Sequence, residues 1–394
     1  MKIAVIAPSG IPARRANTIQ VMKMAQSIQS LGHSVRLAVP QDNQSLSEKI
    51  PDWDYLKLYY GLQSSFPIEW LRAYPVWRRY DFSLRAVRWV RAWHADLLYT
   101  RLPQAAALAS ILGIPTLLEV HDMPQGTLGP QLFRAYHKGK GACRMVVITH
   151  ALAQDLADRF GIPNSAPRTI IAPDGVDLER YENLPPPEQA RAEIVELSGK
   201  ILNKPIEISI DRFTVGYTGH LYPGRGTTLL LQLAEHLPDI NFLIAGGEPN
   251  DVQRFKAEIS TLGISNVHAI GFVPNADLPR FQAACEVLLM PYQSKVSASS
   301  GGDISRYLSP MKLFEYMACE RAIVSSDLPV FREVLSTENS ILLPPQDIKA
   351  WENCIRSLRA DSDHRLRLAS QARRDVFQYT WETRTAKILD NLRL

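Results

Sequence analysis

The chain has 394 residues, which is enough for two or three domains with large cores. Hydrophobic residues make up 46% and charged residues 21% of the chain, the composition of an ordinary soluble globular protein. The formal net charge of +4 is too small to indicate nucleic acid as a partner.

The cysteines and the amino terminus bear on the compartment in which the protein works. The four cysteines lie far apart and form no CxxC pair, so neither a zinc site nor a disulfide framework is expected. The apolar run at residues 1–7 is too short for the core of a signal peptide, and no apolar run reaches the length of a membrane span. We therefore expect a reduced, cytoplasmic protein without an export signal.

The first half of the chain alternates short apolar runs with stretches of helical periodicity. The strand-like runs are residues 2–7, 97–100, 116–120, 145–149 and 169–172. This alternation predicts a parallel, doubly wound α/β sheet. Gly10 follows the first run, where a glycine lets the backbone approach a ligand at the carboxyl end of a strand. The loop lacks GxGxxG, which argues against a nicotinamide or flavin dinucleotide, and a mobile basic loop is the alternative.

Residues 70–93 combine arginines with aromatic side chains, and Asp81 is their only acidic residue. Arginines and interfacial aromatics suit an anionic membrane surface, or an acceptor that carries a lipid diphosphate. The alternative is a solvated basic face whose tryptophans lie in the core. The candidate surface residues are Arg72, Trp77, Arg78, Arg79, Arg85 and Arg88.

His121 stands at the carboxyl end of the strand predicted at residues 116–120. This is the edge at which open α/β sheets place the residues that bind ligands. A single histidine at the end of a strand is nevertheless more often structural. The position alone therefore leaves both roles open.

A turn and a proline-rich stretch separate the two halves of the chain. The turn begins with Asp174-Gly175, a pair that tolerates left-handed backbone conformations, and three prolines follow at residues 185–187. A polar stretch then continues to about residue 211. We predict an N-terminal domain at residues 1–185, a linker with a short helix at 186–211, and a C-terminal domain at 212–378. Residues 379–394 are predicted to form a final helix.

The second half begins with an apolar run at residues 213–219 that leads directly into a loop with glycines and one arginine. The loop contains Gly219, His220, Gly224, Arg225 and Gly226, and a helical stretch follows it. Close backbone approach, free amides and a positive charge after a strand are the features that a diphosphate needs. The spacing matches neither a Walker A loop nor a dinucleotide fingerprint.

Residues 309–322 predict a helix whose charges lie in unfavourable positions. Ser309 is a preferred N-cap, and Pro310 fits the first helical position. Lys312 lies in the first turn, where a cation opposes the helix dipole, so an anion bound at the helix start would explain it. Glu315, one turn later, could accept hydrogen bonds from a diol. An ordinary surface ion pair between Lys312 and Glu315 is the alternative.

The motif Ser-Pro-x-Lys-x-x-Glu-Tyr-Met-Ala at residues 309–318 resembles the donor-nucleotide helix of the family-4 retaining glycosyltransferases of GT-B fold. The resemblance extends over nearly the whole chain. It implies two Rossmann-like domains that face a cleft, the acceptor domain first and the nucleotide-sugar domain second. It also implies a C-terminal helix that crosses back to the N-terminal domain.

The same resemblance assigns roles to individual residues. It implies that His121 faces the donor sugar, that Arg225 and Lys312 bind the diphosphate, and that Glu315 holds the ribose. His121, Arg225 and Lys312 are thus the candidate catalytic residues. The candidate donor-binding residues are Gly10, Gly219, His220, Arg225, Phe272, Val273, Tyr307, Ser309, Lys312 and Glu315.

The chain departs from the family pattern at three positions. His220 replaces an arginine that binds the phosphates, and a histidine is a weaker, pH-dependent substitute. Tyr307 stands where the first of two family glutamates is expected, so Tyr307, Asp303 or a backbone group must serve the sugar hydroxyls. Glu320 replaces a glycine that follows the helix.

The resemblance implies a retaining transferase that moves a sugar from a nucleoside diphosphate sugar, with UDP or GDP favoured, to an acceptor hydroxyl. The acceptor would be a carbohydrate or a lipid-linked molecule, in the synthesis of a cell-surface polysaccharide or glycolipid. No metal or other cofactor is implied. A cytoplasmic enzyme, peripheral at the inner face of the membrane, is expected. The alternatives are a nucleotide-sugar epimerase on the same architecture and a non-catalytic scaffold that binds nucleotide sugars.

Overall fold

The computed structural model describes residues 1–41, 50–77, 79–165, 167–202, 205–297 and 302–392. The chain forms two compact units. Unit 1 consists of Met1–Asp174 together with Trp381–Leu394, and unit 2 consists of Gly175–Thr380. Within the described ranges, no helix is both long enough and apolar enough to cross a membrane.

The described strands of unit 1 form one seven-stranded parallel sheet in the order β3-β2-β1-β4-β5-β6-β7. Its strands are β1 (Lys2–Ile6), β2 (Ser34–Gln41), β3 (Ile68–Arg72), β4 (Leu97–Thr100), β5 (Thr116–Val120), β6 (Ala142–Val147) and β7 (Thr169–Ile171). The helices between them are α1 (Ala16–Ser30), α2 (Trp53–Tyr60), α3 (Tyr80–Ala92), α4 (Pro103–Ile111), α5 (Gly129–Lys138) and α6 (His150–Phe160). The central strands are buried along their length, as expected for a sheet covered on both faces.

The described strands of unit 2 form one six-stranded parallel sheet in the order β10-β9-β8-β11-β12-β13. Its strands are β8 (Thr214–Thr218), β9 (Asn241–Ala245), β10 (Val267–Gly271), β11 (Val287–Met290), β12 (Ala322–Ser326) and β13 (Ile341–Leu343). The helices are α7 (Pro187–Leu202), α8 (Thr227–His236), α9 (Pro249–Leu262), α10 (Leu278–Ala283), α11 (Met311–Ala318), α12 (Ile348–Ala360) and α13 (Ser362–Asp375). The predicted α/β class with two Rossmann-like sheets is therefore confirmed.

The last helix, α14 (Trp381–Leu389), returns to unit 1 and packs against α1. Trp381 is buried, and Ser27 donates a hydrogen bond to Thr385 at 2.8 Å. Arg144 donates to the carbonyl oxygens of Ile388 at 2.6 Å and Asp390 at 2.8 Å. The end of the chain is thus an integral part of unit 1.

The boundary between the units lies after Asp174, earlier than residue 185, the predicted end of the first domain. The predicted linker at 186–211 contains α7, which packs against α10 in unit 2. Ala190 and Ile194 of α7 belong to the main core of unit 2. Arg191, also on α7, is buried and donates to the carbonyl oxygen of Ala284 at 2.9 Å. This segment is therefore part of the folded unit because one face of its helix fills the core.

Candidate functional site

The loop after β8 and the helix α11 bring two predicted site residues, Gly219 and Lys312, into direct contact. Gly219 adopts a φ of +132°, and a Cβ atom added there would lie 2.6 Å from Lys312 Nζ. Any side chain at residue 219 would therefore displace the lysine as well as strain the backbone. The glycine that the sequence places after β8 allows the ammonium group to approach the backbone at the carboxyl end of the sheet.

Lys312 and Arg225, here called the cation pair, lie on aromatic rings inside unit 2. Lys312 Nζ is 3.7 Å from the ring centroid of Tyr217 and 5.5 Å from that of Tyr292. The Arg225 guanidinium carbon is 5.0 Å from the Tyr292 centroid, so both cations share one ring. Within the described residues, Lys312 Nζ has no hydrogen-bond partner, and neither cation forms an ion pair with a carboxylate.

The electrostatics of Lys312 are unfavourable in the free protein. Its side chain is only 9% exposed. Burial, followed by the nearby charge of Arg225, holds the pKa of Lys312 well below its usual range, although Glu315 acts in the opposite direction. A bound anion would therefore stabilise the charged form of Lys312, which burial and Arg225 both disfavour. The surface ion pair of Lys312 with Glu315, offered as the alternative by the sequence, is absent from the described part of the chain.

Glu315 is held by a glutamine that the sequence did not identify. The Gln282 side chain is fully buried on α10 and donates from Nε2 to Glu315 Oε2 at 3.1 Å and to Thr218 Oγ1 at 3.2 Å. The backbone amide of Thr218 donates to the Tyr316 hydroxyl at 2.7 Å. These bonds fix the end of β8 against α11. A glutamine inside a short apolar helix carries no local signal of such a role.

The start of α11 differs from the prediction by one residue. Pro310 occupies the position before the helix with φ −76° and ψ 126°, and Met311 is the first helical residue. The prediction that Ser309 is the N-cap is therefore wrong, because the extended backbone of Pro310 separates Ser309 from the first turn. Lys312 still lies in that turn, as the sequence predicted.

The remaining predicted donor residues lie at the ends of strands or in the loops that follow them. His220 stacks on Tyr222 with ring centroids 4.6 Å apart. Phe272 and Val273 follow β10, and the Val273 side chain packs into the core. Tyr307 ends a 3₁₀ helix, Ser305–Tyr307. In unit 1, Gly10 follows β1 in the loop that leads to α1, and the carbonyl oxygen of Pro40 approaches it closely.

Asp303, a candidate substitute for the missing family glutamate, and Glu320, a departure from the family pattern, both have local structural roles. Asp303 Oδ1 accepts hydrogen bonds from the backbone amides of Val296 at 3.0 Å and Ser305 at 2.9 Å, so this carboxylate closes its own loop. Glu320 adopts a φ of 54°, the left-handed region that favours glycine. Its carboxylate accepts a hydrogen bond from Ser370 at 3.0 Å. The side chain of Glu320 thus makes a hydrogen bond that a glycine could not make.

The arginine-rich segment forms a partly exposed surface on and before α3. Val76 is 84% and Trp77 is 62% exposed, and Arg72 and Arg88 are also exposed. Arg85 instead forms an ion pair with Asp81 at 3.0 Å and donates to the carbonyl oxygen of Arg72 at 2.6 Å. Arg79 adopts a φ of 72° before the helix. Arg78 lies outside the described residues.

In unit 1, His121 belongs to a buried cluster of charged side chains at the carboxyl end of β5. His121 Nε2 contacts Glu119 Oε1 at hydrogen-bond distance. The same oxygen accepts from Gln20 Nε2 at 2.8 Å and lies 2.9 Å from a guanidinium nitrogen of Arg384 on α14. We call Glu119, His121, Arg384, Arg101 and Asp174 the unit 1 cluster.

The charges of the unit 1 cluster set distinct protonation states. Burial alone would raise the pKa of Glu119, but Arg384 and His121 reverse this effect and lower it. Burial and the charge of Arg101 lower the pKa of His121 to about 4, against the opposing effect of Glu119. Burial raises the pKa of Asp174 to about 7, and Arg384 limits the rise. Near neutral pH, Glu119 is therefore ionised and His121 is neutral.

A cavity of about 570 Å³ within unit 1 opens beside His121. Arg101, Gln104, His121 and Asp122 supply polar groups at its wall. Apolar side chains line much of the remainder: Leu102, Leu118, Val120, Met123, Leu128, Leu132 and Phe133. The cavity can thus accept a molecule with a polar end and an apolar part.

The unit 1 cluster also contains the one group of potential metal ligands found in the described ranges. Ligand atoms of Glu119, His121 and Asp174 lie within 4.8 Å of one another. However, the Glu119 oxygen that faces His121 already binds Gln20 and the Arg384 guanidinium. Because Arg384 already pairs with this carboxylate, the arrangement fits an ion-paired network better than a metal centre.

Two Rossmann-like parallel sheets, each covered by helices, form the architecture of the glycosyltransferases of GT-B fold. Two family models match the chain, one in each half. "Glycosyltransferase Family 4" matches residues 18–180 and "Glycosyl transferases group 1" matches residues 201–375. The chain belongs to the family-4 glycosyltransferases of GT-B fold, and it is a glycosyltransferase.

Curated relatives share this family at low sequence identity. The phosphatidyl-myo-inositol mannosyltransferase of Mycolicibacterium smegmatis is 22% identical over 99% of this chain and 92% of its own length. The D-inositol 3-phosphate glycosyltransferase of Xylanimonas cellulosilytica is 26% identical over 62% of this chain. That second match spans 55% of the relative's length.

Solved structures show the same fold. Anabaena Alr3699/HepE, whose crystal structure contains UDP-glucose, superposes with a TM-score of 0.72 at 18% identity over 98% of both chains. The sucrose-phosphate synthase of Thermosynechococcus elongatus superposes with a TM-score of 0.71 at 18% identity, over 98% of this chain and 97% of its own. At these identities the structural likeness establishes the fold alone.

Proposed function

We propose that the protein is a retaining glycosyltransferase that transfers a sugar from a nucleoside diphosphate sugar to an acceptor hydroxyl. The buried cation pair of Lys312 and Arg225 is the observation that carries this proposal. A donor diphosphate would supply the anionic partner that neither cation has among the described residues. The loop glycines and the amide groups at the start of α11 add hydrogen-bond donors for the same phosphates.

The chemistry follows from the placement of these charges. As the bond between sugar and phosphate breaks, negative charge grows on the leaving diphosphate, and Lys312 and Arg225 stabilise it. Glu315, oriented by Gln282, accepts hydrogen bonds from the ribose diol. Retention of configuration requires no protein nucleophile if the leaving phosphate takes the proton of the acceptor hydroxyl on the same face. No metal or other cofactor has a role in this scheme.

We further propose that the donor carries UDP or GDP and that the acceptor is a carbohydrate or a lipid-linked molecule. One supporting observation is the unit 1 cavity, whose wall combines polar groups with apolar side chains. Another is that curated relatives are named for phosphatidyl-myo-inositol and for a glycosylated diacylglycerol as acceptor or product. Such a product belongs to the synthesis of a glycolipid or of a cell-surface polysaccharide.

A panel of UDP, GDP and ADP sugars tests this function. At about 100 times its dissociation constant, the correct donor should stabilise the protein by roughly 2.7 kcal/mol, which a thermal-shift assay detects. With an acceptor added, NMR of the product should show the anomeric configuration of the donor, and EDTA should not reduce the rate. An isomerised donor without acceptor would indicate an epimerase. Absence of both binding and turnover would indicate a non-catalytic scaffold.

Residues 72–91 support a second proposal, a peripheral location at the inner face of the membrane. Exposed arginines and the exposed Trp77 suit anionic lipid headgroups and their interface with the acyl chains. At low salt, the protein should sediment with anionic vesicles and remain in solution with neutral vesicles. Replacing Arg72, Trp77 and Arg88 by serine should abolish sedimentation, because it removes two exposed positive charges and an exposed aromatic ring.

The matched control for this experiment is Arg254→Ser, which removes an exposed arginine from α9 of unit 2. It should sediment like the unaltered protein. If the unaltered protein fails to bind anionic vesicles, or if the triple variant still binds them, the membrane proposal is refuted and the acceptor must reach the enzyme from solution.

A further inference from the structure

The contacts of Arg384 tie the carboxylate beside His121 to the C-terminal helix. Arg384 is 2% exposed and donates to the carbonyl oxygens of Pro173 at 2.8 Å and Ala172 at 3.2 Å. Its guanidinium also lies 2.9 Å from Glu119 Oε1. Because several partners hold the guanidinium, it fixes the position of the Glu119 carboxylate.

The orientation of His121 determines which ring nitrogen carries hydrogen. Nε2 faces the Glu119 carboxylate, and an ionised carboxylate can only accept a hydrogen bond. Nε2 therefore carries the hydrogen of the neutral ring, and Nδ1 keeps its lone pair. In the described part of the chain, Nδ1 has no hydrogen-bond partner, and the side chain is 19% exposed at the cavity wall.

We propose that Glu119 and Arg384 are positioning residues that hold His121 as the neutral Nε2–H tautomer, so that Nδ1 accepts a hydrogen bond from a substrate hydroxyl in the unit 1 cavity. The presence of a substrate hydroxyl rests on the proposed glycosyl transfer. The fixed tautomer does not, because it follows from the contacts of the free protein.

The other charges around the ring agree with a neutral imidazole. Burial disfavours a positive charge on His121, and so do the charges of Arg101 and Arg384. Glu119 favours the positive charge, but the pKa of His121 still falls to about 4. Asp174 is the neighbour that titrates near neutral pH, since its pKa is about 7. A change in charge at Asp174 should therefore shift the His121 signals slightly near pH 7 without moving the proton between ring nitrogens.

Nitrogen NMR of the full chain with labelled histidine tests the tautomer without any substrate. The chain has nine histidines, and the His121 signals are assigned as those missing from a His121→Asn variant. We expect a protonated Nε2 and an unprotonated Nδ1 from about pH 5.5 to 8.5. A protonated Nδ1, or an imidazolium near pH 7, would overturn the inference whatever the activity of the enzyme.

Two variants test the positioning residues. In Glu119→Gln, the signals of both tautomers should appear, because an amide can donate as well as accept a hydrogen bond. In Arg384→Lys, Glu119 remains ionised, so the Nε2–H tautomer should persist while the ring is held less firmly. We expect kcat to fall by up to about 100-fold in each, with KM for the donor unchanged, because a loosened ring misplaces Nδ1. A circular dichroism melt shows whether each variant is folded.

The matched control is Arg144→Lys. Arg144 anchors the same end of the chain through the carbonyl oxygens of Ile388 and Asp390 but has no contact with Glu119. This variant should keep one tautomer and the original kcat. If Glu119→Gln folds and keeps one tautomer, or if both variants fold and keep the original kcat, the inference fails; if neither folds, the spectrum of the unaltered protein decides. If the protein shows a single tautomer but transfers no sugar, the proposed function is refuted and the inference about the tautomer stands.

Discussion

A Lys312→Met variant is expected to bind nucleoside diphosphate sugars roughly 10- to 150-fold more weakly while the free protein becomes no less stable. Lys312 is buried on the ring of Tyr217 with no hydrogen-bond partner in the described chain. Methionine preserves most of the volume and removes a charge that is costly to bury. Loss of binding without loss of stability distinguishes a ligand-binding lysine from a structural one.

Calorimetric titration and urea denaturation measure the two effects. Lys200→Met is the control, because Lys200 is an exposed lysine on α7 that pairs with the exposed Glu196 at 2.9 Å. It should change neither quantity appreciably. If Lys312→Met binds donor as well as the unaltered protein, or unfolds much more easily, the diphosphate does not bind at this lysine.

Donor binding should also take up protons. Burial and Arg225 lower the pKa of Lys312 in the free protein, and a bound diphosphate raises it again by supplying negative charge. The complex therefore holds more protons than the free protein, and affinity should fall as the pH rises between the free and bound pKa values. Titrations in two buffers of different ionisation enthalpy should report this uptake in the unaltered protein, and Lys312→Met should lose it.

Among the strands that the sequence predicts, β4 and β5 are buried on both faces of their sheet. β4 and β5 read as continuous apolar runs because helices cover both sides of them. The sequence does not reveal β3, which pairs with β2 alone and is only partly buried. An edge strand with one solvent-facing side can carry charges such as Glu69 and Arg72, so the sequence pattern here indicates a basic surface instead of a strand.

Lys312 can be predicted as a candidate site residue because its position conflicts with the dipole of its own helix. Its surroundings could not be predicted. Tyr217 comes from β8, Tyr292 follows β11 and Gln282 lies on α10. Each of these residues fits its own element without conflict, and only the parallel arrangement of the strands brings them to the same edge. The local sequence shows that the charge of Lys312 lies in an unfavourable position. It does not show which side chains surround that charge, because they come from elements that only the tertiary structure brings together.

Replacing Arg384 by alanine is expected to destabilise unit 1 by about 3–5 kcal/mol. Glu119 is 2% exposed, and without the guanidinium its carboxylate would remain buried without a charged partner. Replacing both residues, as in Glu119→Gln with Arg384→Met, should recover most of the loss, because a neutral pair of similar volume costs little to bury. Urea denaturation that resolves the unfolding of unit 1 measures both values.

The pH dependence of this loss separates the buried charge from general damage to α14. In the unaltered protein the pKa of Glu119 is lowered, so its stabilising effect is present above the pKa of the unfolded chain and is lost as the pH falls through the folded value. In Arg384→Ala, burial instead raises that pKa, and protonation at low pH relieves the cost. The deficit should therefore shrink as the pH falls from 7 through the raised pKa that Glu119 has in the variant. Arg144→Ala loses hydrogen bonds to the carbonyl oxygens of Pro167, Ile388 and Asp390, so its deficit should be constant with pH. An Arg384→Ala deficit that is equally constant would mean that Arg384 acts by packing α14 and that its charge does not stabilise Glu119.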